Sequence, residues 1–135
     1  MRIRLFILLL FVPLLSIGQY NFFWSHTGET ESYQPLIITK QITDIGSTSA
    51  NLGGTIYGND NDTILEYGVT VNETGEPDRY YDWFRPWYGE PVSFPYSFSS
   101  TISLFDRSTT YYVRAYIITS EKIIYGDEKI FTTDD

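Results

Sequence analysis

From Pro35 onward, apolar and polar residues alternate with a period of two. Turn-forming clusters interrupt them about every 8–12 residues, which is the pattern of short antiparallel strands. Leu36-Ile37-Ile38-Thr39 reads as a first strand, with Pro35 just before it, where a missing N–H does little harm. Thr48 to Tyr57 reads as a second, stopping at the turn-rich Gly58-Asn59-Asp60-Asn61-Asp62. Thr63 to Val71 reads as a third, with Ile64, Glu66, Gly68 and Thr70 on one face and Leu65, Tyr67, Val69 and Val71 on the other. Asn72 to Asp78 is another turn cluster. Tyr96 to Phe105 alternates through Phe98, Ser100, Ile102 and Leu104, and Phe105 breaks that register. Thr110 to Thr119 is the clearest strand, with Tyr111, Val113, Ala115 and Ile117 sharing a face, and Lys122 to Thr133 is the last. No stretch carries a period of 3.6. The expected fold is all-β, a two-sheet sandwich of about seven antiparallel strands.

The segment before this domain has a different pattern. Arg2 and Arg4 precede an apolar run from Leu5 to Leu15, and Ser16-Ile17-Gly18 places small residues at a cleavage site. That reads as a secretory signal peptide over residues 1–18. The run is too short to span a bilayer, which takes about 20 apolar residues. Residues 19–34 read as a leader, with Phe22, Phe23 and Trp24 followed by a polar stretch, and residues 35–135 as the domain. The expected location is therefore secreted, either periplasmic or extracellular, with no membrane insertion once the signal is cut. The chain has no cysteine, so neither a disulfide nor a lipidated cysteine contributes. About 100 residues suffice for a core that folds without cross-links.

Loss of Arg2 and Arg4 leaves seven basic residues against seventeen acidic ones, a formal net charge of −10. Such a surface repels phosphate backbones, so nucleic acid is not an expected partner. The single histidine, His26, lies in the leader. Thiol and Ser-His-Asp catalysis therefore lack their parts. Zinc lacks the required His or Cys ligands. The Gly58–Thr63 stretch lacks the ligand spacing of a calcium loop and reads as a hairpin turn. No enzyme activity, metal or cofactor is expected.

Three segments go beyond generic β pattern. Ser108-Thr109-Thr110-Tyr111-Tyr112-Val113-Arg114-Ala115-Tyr116, with Phe105 six positions before Tyr111, resembles the sixth strand of a fibronectin type III domain. Tyr125 to Thr133 resembles its last strand, including the Phe131-Thr132-Thr133 ending. Ile45 to Ile56, with Gly53-Gly54, and Glu66-Tyr67-Gly68-Val69 resemble a bacterial branch in which a glycine-rich strand replaces the usual buried Trp. The resemblance implies an immunoglobulin-like sandwich in which Tyr111 bonds back to the preceding loop. It also implies that Phe105, Val113, Ala115 and Phe131 are structural. It carries no activity; it fits a module for interaction or adhesion.

The chain departs from that family between Gly75 and Ser97. Residues 80–96 read YYDWFRPWYGEPVSFPY, and eight of these seventeen are aromatic. Short strands here would turn Tyr81, Trp83, Phe94 and Tyr96 inward and place Tyr80, Asp82 and Phe84 on the other face. Pro86, Pro91 and Pro95 confine the stretch to an edge strand or an ordered loop. Two readings compete. Packing is favoured, because eight rings left in water would form an aggregation-prone patch. Phe22, Phe23 and Trp24 are available to pack on the same rings. The other reading is a contact site for a cell-surface protein or a glycan, built from Trp83, Trp87 and Tyr88 with Asp82 and Glu90. A third possibility, assembly through strand edges, stays open.

Overall fold

The computed structural model describes residues 34–135 apart from residues 60 and 92. The expected signal peptide and nearly all of the expected leader, including Phe22, Phe23, Trp24 and His26, lie outside the described residues.

Among the described residues eight strands form two antiparallel sheets. The first sheet contains β1 (Leu36–Thr39), β2 (Ala50–Tyr57) and β5 (Tyr96–Ile102), in the order β1-β2-β5. The second contains β4 (Trp83–Tyr88), β3 (Ile64–Asn72), β6 (Thr110–Thr119) and β7 (Ile123–Tyr125), in the order β4-β3-β6-β7. β8 (Lys129–Thr132) also pairs with β6. The expected last strand is thus split in two at residues 126–128, where Gly126 keeps one bond to β6, from its N–H to the Ala115 carbonyl at 2.8 Å. Thr39, at the end of β1, occupies the break. Its hydroxyl accepts from the Ala115 N–H at 3.0 Å and donates to the Asp127 carbonyl. Its N–H donates to Asp127 Oδ1 at 3.1 Å. One buried threonine therefore ties the edge of one sheet to the centre of the other.

The alternating inner faces make the core. Ile37, Leu52, Ile56, Val69, Val113, Ala115 and Ile117 fill its middle. Phe105, Tyr111 and Phe131 close one end, with ring centroids 4.7–5.6 Å apart. The Tyr111 hydroxyl accepts from the Asp106 N–H at 2.9 Å, five residues upstream. A second aromatic group, Tyr67, Trp87, Tyr96 and Phe98, sits at the other end. Gly54 makes room for it: a Cβ there would lie 2.9 Å from the Phe98 ring and 2.8 Å from Ala115 Cβ.

Two expectations from the alternation need correction. Ile64 is buried and Leu65 is exposed, the reverse of the simple pattern for β3. A bulge between Ile64 and Glu66 shifts the register against β6, so Ile64 and Tyr67 both reach the core. Similarly, β5 ends at Ile102, so Leu104 is exposed while Phe105 turns into the core.

Replacing Thr39 by Val keeps the shape but leaves the buried Ala115 N–H and the Asp127 carbonyl without this partner. Urea unfolding is expected to show a loss of about 1–3 kcal/mol with an unchanged m-value.

Candidate functional site

The aromatic segment divides into a braced turn and an edge strand. Asn72 begins the turn: its side-chain oxygen accepts from the Thr74 and Gly75 N–H groups, and its amide donates to Gly75 O and Asp82 Oδ2. Asp82 Oδ2 also accepts from the Asp78 N–H at 2.7 Å. The N–H groups of Tyr81 and Asp82 both bond to the Asp78 carbonyl. That local turn removes the expected strand alternation before β4. Tyr81, expected to point inward, is 89% exposed.

The turn then folds back over the outer face of the second sheet. Pro77 is fully buried. The Arg79 guanidinium pairs with Glu66 through Nε–Oε1 at 2.6 Å and Nη2–Oε2 at 3.2 Å. The same guanidinium lies 3.4 Å from the centre of the Phe84 ring. Tyr116 crosses beneath and donates its hydroxyl to Glu66 Oε1 at 2.6 Å. Gly68 makes this crossing possible, since a Cβ there would stand 2.8 Å from the Tyr116 oxygen. Tyr116 faces away from the core by the β6 alternation, yet it is fully buried. The Arg79 N–H donates to the Tyr125 hydroxyl at 3.0 Å, and Arg114 stacks 4.0 Å from the Tyr125 ring.

These contacts shift the charges. Burial acts to raise the Glu66 carboxyl, but the hydrogen bonds from Arg79 and Tyr116 and the guanidinium charge outweigh it and hold it below the usual range. Burial, with the Glu66 bond and charge, pushes the Tyr116 hydroxyl far up. Burial and the neighbouring Tyr96 hydroxyl push Tyr67 up to about 12.

Among the described residues β4 pairs only with β3, as an edge strand, and Pro86 sits opposite Gly68. Cross-strand pairing places Trp83, Arg85 and Trp87 on the inner face, opposite Val71, Val69 and Tyr67. Phe84, Pro86 and Tyr88 take the outer face, opposite Thr70, Gly68 and Glu66. Trp87 is packing: its ring stacks on Tyr67 at 6.5 Å and lies 5.0 Å from Phe98. Phe94 and Tyr96 also pack against the core. Trp83 lies on the same side as Trp87 but is 37% exposed. Tyr88, 71% exposed, points the other way, and Glu90 is exposed beyond Gly89. The five residues singled out in the sequence are therefore not gathered on one face. Trp83 and Trp87 look inward, Tyr88 outward, and Asp82 braces the turn.

Arg79, Glu66 and Tyr116 escaped the sequence reading. Their signal was faint: an acid and a glycine on the non-core face of β3, beside an arginine in an acidic turn. Among the described residues, no group of three or more His, Cys, Asp or Glu is placed to hold a metal ion. After β2, Asp62 Oδ2 accepts from the Asn59 N–H at 2.7 Å, and Asn59 Oδ1 accepts from the Asn61 N–H at 2.9 Å. No described helix is long and apolar enough to cross a membrane.

No protein-family model matches this chain, and no curated protein matches it. Solved structures do. The sensor domain of the anti-sigma factor RsgI4 from Pseudobacteroides cellulosolvens superposes with a TM-score of 0.59 at 17% identity, over 75% of this chain and 76% of that one. A shorter version of that domain gives 0.58 at 17% identity, over 78% and 98%. The fibronectin type III domain of human fibronectin type III domain containing protein 3 gives 0.50 at 21% identity, over 80% and 92%. The fold is fibronectin type III-like.

The different environments of the two tryptophans predict different costs. Trp87→Ala is expected to cost about 2–4 kcal/mol and Trp83→Ala less than about 1.5 kcal/mol in urea unfolding. The pH limits follow from the shifted groups. The Glu66 contribution is complete above the ordinary carboxylate range and is lost as pH falls through its lowered folded value. The Tyr67 contribution is complete below the ordinary tyrosine value near 10 and is lost as pH rises to about 12. Urea midpoints measured across both limits should show both slopes. Glu66→Gln should flatten the acid one and lower stability near neutrality by about 1–3 kcal/mol.

Proposed function

We propose that the chain is an exported, non-catalytic interaction module that holds a cell-surface partner through the ring faces of Tyr80, Tyr81 and Tyr88. The observation that carries this reading is the placement of exposed tyrosines around a fixed ion pair. Tyr88 is the outward neighbour of Glu66 across the β3–β4 ladder, and the Tyr80 ring lies 6.0 Å from the Arg79 guanidinium. Tyr80 is 67% exposed, so packing does not account for it.

Rigid presentation makes such rings effective. Tyr supplies a large amphipathic contact area with few rotatable bonds, and it is enriched among interface hot spots. The Arg79–Glu66 pair, the Asn72–Asp82 bonds and buried Pro77 order the turn during folding, so the ordering entropy is not charged again to binding. Export rests on the charged, apolar and small-residue pattern of residues 1–18. A sensor domain among the structural neighbours fits a module that binds rather than reacts.

Protein contact is favoured over glycan stacking because Trp83 and Trp87 do not share a face with Tyr88. The test compares the exported chain with its Tyr80→Ala, Tyr81→Ala, Tyr88→Ala triple variant on peptide, protein and glycan arrays. The variant is expected to lose stability by no more than about 0.5 kcal/mol per site, and to lose retention on protein or peptide spots by at least about tenfold. Unchanged retention by the variant, retention on glycans alone, or no retention of the unaltered chain would each overturn the reading.

A further inference from the structure

A second feature lies at the end of the sandwich that holds Phe105 and Tyr111. Between the β3–β4 turn and the segment after β5 is an open cavity of about 420 Å³. This is within the usual size of small-ligand pockets, about 300–1,000 Å³. Its floor is apolar, with Val71, Phe105 and Tyr111, and Trp83 and Leu104 form walls. Both walls are exposed although they border the core. Leu104 is 68% exposed at the point where the β5 alternation fails.

The polar lining is unbalanced. Glu73, Asp82 and Asp106 line the cavity, and no Lys or Arg does. Among the described residues the Glu73 and Asp106 carboxylates and Asp82 Oδ1 make no hydrogen bond or ion pair, while Asp82 Oδ2 is committed to Asn72 and Asp78. Donors are scarce. Both hydrogens of the Asn72 amide are used, on Gly75 O and Asp82 Oδ2. The N–H groups of Thr74, Phe105 and Asp106 are used too. Thr74 and Tyr111 contribute hydroxyls, and Trp83 contributes one indole N–H, so acceptors still outnumber free donors. A sugar needs donors as well as acceptors from its site. A site this rich in acceptors suits a ligand that only donates.

We propose that this cavity receives an arginine side chain of a partner polypeptide. A guanidinium has five donors and no acceptor, and its planar fork matches a carboxylate. It also stacks on an indole face, which Trp83 supplies, and its methylene stem suits the apolar floor. An ammonium would meet the charge but not the flat wall. The chain's formal net charge of −8 attracts such a partner at long range. This inference takes its class of partner from the interaction reading, but none of its binding residues.

The test uses the exported chain and follows the indole N–H resonance of Trp83, identified with Trp83→Phe. Four probes are titrated: an end-blocked Gly-Gly-Arg-Gly-Gly peptide, its citrulline twin, spermidine and a neutral cello-oligosaccharide. The arginine peptide is expected to shift the resonance saturably. The citrulline twin, which keeps the shape without the charge, should bind at least about tenfold more weakly. Glu73→Gln with Asp106→Asn, both at exposed positions, should reduce the arginine peptide to the citrulline level. Added salt should weaken it as well. The Tyr80→Ala, Tyr81→Ala, Tyr88→Ala variant should still bind the arginine peptide, because those rings lie outside the cavity. Loss of binding there would place the contact on the tyrosines and overturn the cavity assignment. Equal binding of the two peptides, preference for spermidine or the oligosaccharide, or no saturable shift with arginine would overturn it too.

Discussion

The Glu66 carboxylate is where the long β3–β4 connection is anchored. It stands on the face of the second sheet that points away from the core, where a carboxylate would ordinarily be hydrated. Instead it takes two bonds from Arg79 and one from Tyr116, and its side chain is only 12% exposed. A typical surface ion pair is worth about 0–1 kcal/mol. This one is sheltered, has two guanidinium contacts and has Phe84 stacked on the same cation, so removing either partner costs more than it would at an exposed pair. It also decides where a dozen residues go. Pro77, two residues before Arg79, is fully buried, and the Phe84 and Tyr80 rings lie 3.4 and 6.0 Å from the guanidinium.

The same anchor explains a burial that alternation cannot produce. Tyr116 belongs to the outer row of β6 and is fully buried because the turn lies on it. The fold thus has a second, smaller packed layer outside the sandwich, made from a phenol, a guanidinium and a carboxylate. Such a layer depends on complete pairing. A lost partner would leave a sheltered charge without compensation, which costs more than the pair itself contributes.

Most of the sandwich was legible from sequence, because strands with one buried face announce themselves by a period of two. The first strand, Leu36–Thr39, and the long β6 follow it closely. The failures come where one residue disturbs the period. The Leu65 bulge exchanges the faces at the start of β3, and Thr39 bonds to Asp127 where the last strand is split. The candidate site was less legible. The composition of residues 80–96 marks the place, but a list of aromatic residues does not distinguish Trp87, which is locked against Tyr67 and Phe98, from Tyr81, which is almost wholly in water. That division depends on register with β3, and the register depends on where the turn ends.

Among the described residues both tryptophans lie on β4, and their placement has one physical account. Gly54 opens space over Ala115, Phe98 enters it, and Trp87 closes over Phe98 from the neighbouring sheet. An indole is thus supplied from an edge strand. An edge strand that carries core aromatics risks pairing with another chain. Pro86 removes one donor from the middle of β4, and Arg85 projects a charge from its inner face beside Trp87. Both features oppose addition of a further strand, so assembly through this edge is disfavoured. What β4 and its turn can offer a partner is therefore side chains rather than backbone. That is the form of contact that exposed tyrosines, or a cavity rich in acceptors, are suited to make.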